Sequence, residues 1–262
     1  MRPTRPAPGA RTGAGTAAAV LLLGALAYTA WVLELVIATG LDPVRAYVSE
    51  LAAADQPLGG LFRATDLVAG LLVLAGALTA LATVPRRPWT AAGFGALALF
   101  GAATVLDSRL PLSCAPTSDP VCAARETAGL VPATHTAHAV SSTLALLGAL
   151  AALVLLTVAA RRYGDWPALA RLGPPLVLAE GAATAWTLAE VGALTAGGDT
   201  WALGVGQRLQ VLLVAVYLAV LAGCLARPVL RAGTPAAPAP APTSTPRPTP
   251  LPSDPPRGGP AP

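Results

Sequence analysis

A chain of 262 residues that is 54% hydrophobic and 11% charged, with a mean hydropathy of +0.62, cannot present a soluble surface on all sides. Lipid must solvate much of it. The formal charge of +4 comes from arginine, lysine being absent, and no basic run interleaved with aromatics points to nucleic acid.

A spanning helix needs roughly 20 largely apolar residues. Six stretches qualify, and in chain order the first is Ala17 to Ala38, which follows Arg2, Arg5 and Arg11 and contains Glu34. Its apolar run is longer than that of a cleaved signal peptide, so it reads as a retained anchor. A long connection, Thr39 to Thr65, leads to the second span, Asp66 to Val84, which opens on an aspartate. A short turn with Arg86 and Arg87 precedes the third span, Trp89 to Leu106, which ends beside Asp107. The connection from Asp107 to Thr136 carries Cys114 and Cys122, a pair expected to form a disulfide if that side of the membrane is oxidising. His135 and His138 stand one turn apart at the head of the fourth span, Ala137 to Ala160. The fifth, Ala168 to Leu194, holds Glu180 and Glu190; the sixth, Trp201 to Ala226, holds Arg208 and Cys224.

The pattern predicts an all-α integral membrane bundle of about six transmembrane helices. Its divisions are an N-terminal tail over 1–16, a transmembrane domain over 17–227 and a disordered Pro-rich tail over 228–262. Arg86, Arg87, Arg161, Arg162, Arg171, Arg227 and Arg231 fall on the same side as the N-terminal arginines. Positive residues near span ends stay cytoplasmic, so both termini are expected inside a bacterial-type cytoplasmic membrane. PxxP spacings after Pro248 offer a docking motif for a protein partner, although such tails are usually only tails.

Several fragments in order carry a family resemblance: Tyr47-Val-Ser-Glu-Leu51, Leu61-Phe-Arg-Ala-Thr-Asp-Leu67, Asp107 with Leu110-Pro-Leu-Ser-Cys114 and Cys122, His138 with Ser141 and Ser142, and Gly206-Gln-Arg-Leu209. Together they resemble the bacterial membrane family catalogued as domain of unknown function 998, over roughly Ala17 to Arg227. The resemblance implies about six spans and supplies no activity, substrate or cofactor.

Ionisable groups within hydrocarbon cost several kcal/mol unless paired or hydrated, so each is a candidate for function. At 1.5 Å per residue, Glu34, Glu190 and Arg208 lie roughly 6 to 10 Å below the surface opposite the arginine-rich side. Asp66, Asp107 and His138 mark the ends of three other spans there, so these six residues are candidates to line a polar pocket for a lipid or small molecule. Arg208 cannot shed its proton and is expected to lie within about 4 Å of Glu34 or Glu190. Glu180, nearer the midplane, shares a face with Thr184 and Thr187; a helix-packing seam accounts for the threonines but not for the carboxylate. His135 and His138 have the spacing of two ligands to one metal, the basis of an alternative reading as a metal-dependent lipid hydrolase that would also use Asp107. A further alternative is a membrane scaffold acting through the Pro-rich tail.

The arginine placement has a direct check in single cysteines introduced into a variant lacking the native ones. A cysteine at Ser118 is expected to react with an impermeant thiol reagent in intact cells, and cysteines at Arg86 and Gly164 are not. Labelling at Gly164 would refute the six-span arrangement.

Overall fold

The computed structural model describes residues 8–198 and 201–233, with side chains over 12–198 and 201–227. The expectations for residues 1–7 and for the chain after Gly233, including the disordered tail and its PxxP motif, lie outside the described residues.

Among the described residues seven helices form and there is no strand. They are α1 (Pro8–Tyr28), α2 (Gly59–Thr83), α3 (Pro88–Asp107), the short α4 (Pro120–Thr127), α5 (Ala133–Tyr163), α6 (Pro167–Thr195) and α7 (Leu203–Gly233), with 3-10 turns at Ala30–Leu35 and Val48–Ala52. Their limits follow local chemistry. Pro88, Pro120 and Pro167 occupy first-turn positions, where a missing N–H costs nothing. Helix α5 stops where Gly164 takes a left-handed conformation, φ 74°, and returns its N–H to Ala160.

The helices outrun the apolar stretches that mark them in the sequence. Helix α2 begins at Gly59 rather than Asp66, α1 begins ahead of Ala17, and α7 continues past Arg227. The first span tightens into 3-10 geometry after Tyr28. Among the described residues five segments are long and apolar enough to cross a membrane: Thr12–Leu35, Gly59–Thr83, Pro88–Asp107, Ala133–Tyr163 and Leu203–Arg227. Helix α6 is equally long but carries Arg171, Glu180 and Glu190, which lower its hydropathy, and it packs between α5 and α7. Large apolar side chains such as Leu26, Leu78, Leu99, Leu147, Leu178 and Val216 face outward, as lipid-contacting residues do.

The six long helices close into a ring. Helix α1 packs on α2, α2 on α3, α3 on α5, α5 on α6, α6 on α7, and α7 returns to α1. Small residues allow the tightest approaches: a Cβ on Gly70 would lie 2.8 Å from the backbone N of Val105, and one on Gly101 would lie 2.6 Å from the backbone N of Leu74. At the end bearing the short arginine turns, Phe94, Leu156, Leu169, Leu218 and Leu221 fill the ring. There Tyr217 donates its hydroxyl to the Leu153 carbonyl at 2.9 Å, with Thr157 Oγ1 at 3.0 Å.

The opposite end is roofed by the two long connections. The Ala54 N–H donates to Leu112 O (2.8 Å), the Gly204 N–H to Val44 O (2.9 Å) and the Val48 N–H to Gln207 Oε1 (2.9 Å). Arg63 donates to the carbonyls of Ala52 and Ala53. Glu50, wholly buried, accepts the backbone N–H of Thr117 at 2.8 Å and its hydroxyl, joining the two connections. Burial pushes its carboxyl above the ordinary carboxylate range, although both bonds from Thr117 favour the ionised form. Cys114 and Cys122 form the expected disulfide, with Cα atoms 6.0 Å apart, and it pins the start of α4.

The α2–α3 crossing is a sensitive point because the neighbour of Gly101 is backbone, which cannot move aside. Gly101→Ala is expected to cost about 1 to 3 kcal/mol and lower the amount of folded protein in the membrane. Gly181→Ala, whose Cβ would meet nothing within 4 Å, is expected to be neutral. Equal expression and melting temperature of the two variants would contradict this packing.

Candidate functional site

The arginine end of the ring is filled and the loop end is not. Between the apolar plug and the roof lies a cavity of about 340 Å³, to which all six ring helices contribute. Its deep wall is Phe100 of α3, Ala149 of α5 and Val214 of α7, and its ceiling is Val48, Ser49 and Leu51. Tyr28, Trp31 and Phe62 add aromatic surface.

Three carboxylates reach this apolar chamber from three helices: Asp66 from α2, Asp107 from the last residue of α3 and Glu180 from the middle of α6. Their surroundings differ. Asp107 is held by α5, where Ser142 Oγ lies 3.0 and 2.9 Å from its two oxygens, Ser141 also donates to it, and His138 Nδ1 lies 3.1 Å away. That nitrogen is also 2.9 Å from the Leu110 carbonyl. Facing two acceptors, Nδ1 must carry the proton, which leaves Nε2 free toward Ser142 Oγ at 3.3 Å. The order serine, imidazole, carboxylate is that of a nucleophile with its base, but here the hydroxyl sits closer to the carboxylate. Ser142 is also in mid-helix, where the backbone N–H groups that would stabilise an oxyanion are spent in the helix itself. The arrangement is a cage for the Asp107 charge.

Asp66 and Glu180 have no such cage. Glu180 is 1% exposed and its Oε2 has no hydrogen-bond partner; Asp66 makes no hydrogen bond or ion pair among the described residues. Among the described residues no arginine or histidine lines the chamber. The buried Nε1 of Trp31, at the rim, is likewise without an acceptor.

Arg208 and Glu34 lie outside the cavity lining and hold each other. Arg208 Nε donates to Glu34 Oε1 at 2.5 Å and Nη2 donates to Oε2 at 2.6 Å, a two-point grip. Nη1 donates to the carbonyls of Ala46 (2.9 Å) and Gly204 (3.1 Å), so the guanidinium is satisfied without an anionic ligand. Glu190 accepts the N–H of Trp201 at 3.0 Å, tying the end of α6 to the residue just ahead of α7. Of the six residues expected to line one pocket, Asp66 and Asp107 line the chamber, with His138 directly behind Asp107, whereas Glu34, Glu190 and Arg208, expected at one depth, do not. Thr184 and Thr187 clasp the Gln210 amide of α7, at 2.9 and 2.7 Å, an interhelical seam that also forms part of the wall.

The two histidines diverge. His135 Nδ1 accepts the Ser113 N–H at 3.1 Å, and its Nε2 lies 3.5 Å from Glu126. His138 faces Leu110 and Asp107 instead. Among the described residues no group of three or more His, Cys, Asp or Glu side chains is placed to share a metal ion.

Sequence reasoning put Glu180 near the midplane but had no means of aiming it into the chamber, because ring order is invisible in one chain. The Ser141-Ser142 pair, one turn beyond His138 in an apolar helix, was the available signal for the Asp107 cage.

The profile of one protein family, described as Protein of unknown function (DUF998), matches residues 18–223. No curated protein and no solved structure matches the chain. The match spans all six ring helices and both connections of the roof, and the protein, an α-helical membrane protein, belongs to the DUF998 family.

Proposed function

We propose that this protein binds a lipid or small molecule in the chamber, within the half of the bilayer on the loop side, without catalysing a reaction on it. The observation that carries the reading is the chamber itself: about 340 Å³, at the small end of ligand pockets, with apolar walls and carboxylates that the protein leaves unpartnered. Folded proteins rarely leave buried charge unpaired unless something else meets it. With the arginine turns on the cytoplasmic side of the cell membrane, both termini are inside and the chamber lies under the extracytoplasmic roof.

The alternatives have less behind them. A metal-dependent hydrolase would need His135 and His138 to converge, and each is committed to different partners. A scaffold acting through the tail rests on residues outside those described.

The test is to purify the protein in mild detergent, extract it with organic solvent and identify what accompanies it by mass spectrometry. A single molecular class near one equivalent per chain is expected. Val211→Trp, which adds bulk inside the chamber, should reduce it at least about tenfold while helix content stays unchanged. Extracts of wild type no richer than those of the filled variant would contradict the proposal.

A further inference from the structure

We propose that the ligand is an amphipathic amine, a cationic headgroup on an apolar chain, and that it reaches the chamber sideways from the loop-side leaflet through a gap between α5 and α6. The inference rests on the chamber being a binding site and adds the ligand's charge and its route.

The charge follows from what lines the chamber. Asp66 and Glu180 have no counter-charge bonded to them and no basic side chain contributes to the wall among the described residues, and the guanidiniums at its margin are engaged elsewhere, Arg208 by Glu34 and Arg63 by the carbonyls of Ala52 and Ala53. Glu180 is buried, reaches the chamber from the middle of α6, and has an oxygen with no donor. An anionic headgroup would meet these carboxylates with repulsion. An ammonium group would give them the hydrogen-bond donors they lack, and the aromatic faces of Tyr28, Trp31 and Phe100 suit a cation on their π surface.

The route follows from exposure. The roof is tied down by the hydrogen bonds of Ala54, Val48 and Gly204 and by the Glu50–Thr117 contact, and the opposite end is filled by the apolar plug. Among the residues that line the chamber, Thr143 of α5 and Leu188 of α6 are also exposed on the outside of the ring. Residues that face the interior and the exterior together mark an opening. Helices α5 and α6 meet closely at the arginine end instead, where a Cβ on Gly173 would lie 2.4 Å from Thr157 Oγ1. Pro174 and Pro175, just beyond, lack the N–H groups that would bond the carbonyls of Ala170 and Arg171, which loosens α6 at the base of the gap. A chamber of this size takes a headgroup and the start of a chain, and the remainder can lie between α5 and α6 in lipid.

The experiment uses the full chain in proteoliposomes and three probes of equal chain length, each with a photoactivatable diazirine in a C12 chain: a primary amine, an alcohol and a carboxylate. Cross-linked residues are mapped by peptide mass spectrometry. The amine is expected to label chamber and gap residues, with Thr143 and Leu188 among them, at least about tenfold more than the alcohol or the carboxylate. Glu180→Gln, and independently Asp66→Asn, should remove that preference. Equal labelling of the chamber by amine and alcohol would overturn the cationic ligand and leave the binding site standing. Labelling by every probe confined to outward residues such as Leu147 and Leu178 would overturn both. The comparison of probes on wild type needs no variant, so a misfolded variant cannot obscure the result.

Discussion

A guanidinium that cannot lose its proton must be matched wherever water is excluded, and in this protein the match is made by one pair, Arg208 and Glu34. The pair joins the start of α7 to the end of the first span, the point where the last helix of the ring meets the first. The remaining Arg208 donors hold Ala46 and Gly204, which sets the roof connection against the same junction. The one pair therefore acts at once on ring closure and on the position of the roof over the chamber. Buried pairs of this kind are weak sources of net stability, but breaking one by removing a single partner costs about 3 to 5 kcal/mol. The pair selects this arrangement over others open to six similar helices.

The chamber inverts that logic. Arg208 has its carboxylate and Asp107 has two serines and an imidazole, whereas Glu180 and Asp66 are left to whatever enters. Helices packed only for stability would place such carboxylates opposite donors or replace them with leucine. Under the proposed function, two such carboxylates on different helices, α2 and α6, converging with Asp107 on a space closed above and below, mark a binding site rather than a packing fault.

The sequence made much of the architecture legible and little of the site. Apolar stretches mark the six ring helices, although the charges of α6 leave five that qualify as spans by length and hydropathy, and the disulfide follows from two cysteines in one connection. The Arg208 pairing follows from the permanence of its charge, with Glu34 one of only two candidates at the right depth. Glu190 stood at that depth too, but the turn after α6 needed a carboxylate for the Trp201 N–H, and no local pattern announces that. The helices start ahead of their apolar runs for a related reason: apolar runs mark where lipid begins, while α2 and α5 start in the roof, among polar residues. The chamber depends on which helices are neighbours around a ring, a long-range property that periodicity along one helix does not encode. Glu180 was conspicuous as an unexplained carboxylate, and its meaning required Asp66 and Asp107 to stand across from it.

If the proposed function holds, the carboxylates within the bundle fall into those that hold the ring and those kept for a ligand. The most direct test compares thermal melting of delipidated wild type with Glu34→Gln and Glu180→Gln in the same detergent. Glu34→Gln strands Arg208 and should melt several degrees lower, whereas Glu180→Gln removes an unmatched charge and should melt at or above wild type. A Glu180→Gln protein destabilised as much as Glu34→Gln, or a Glu34→Gln protein indistinguishable from wild type, would contradict the division.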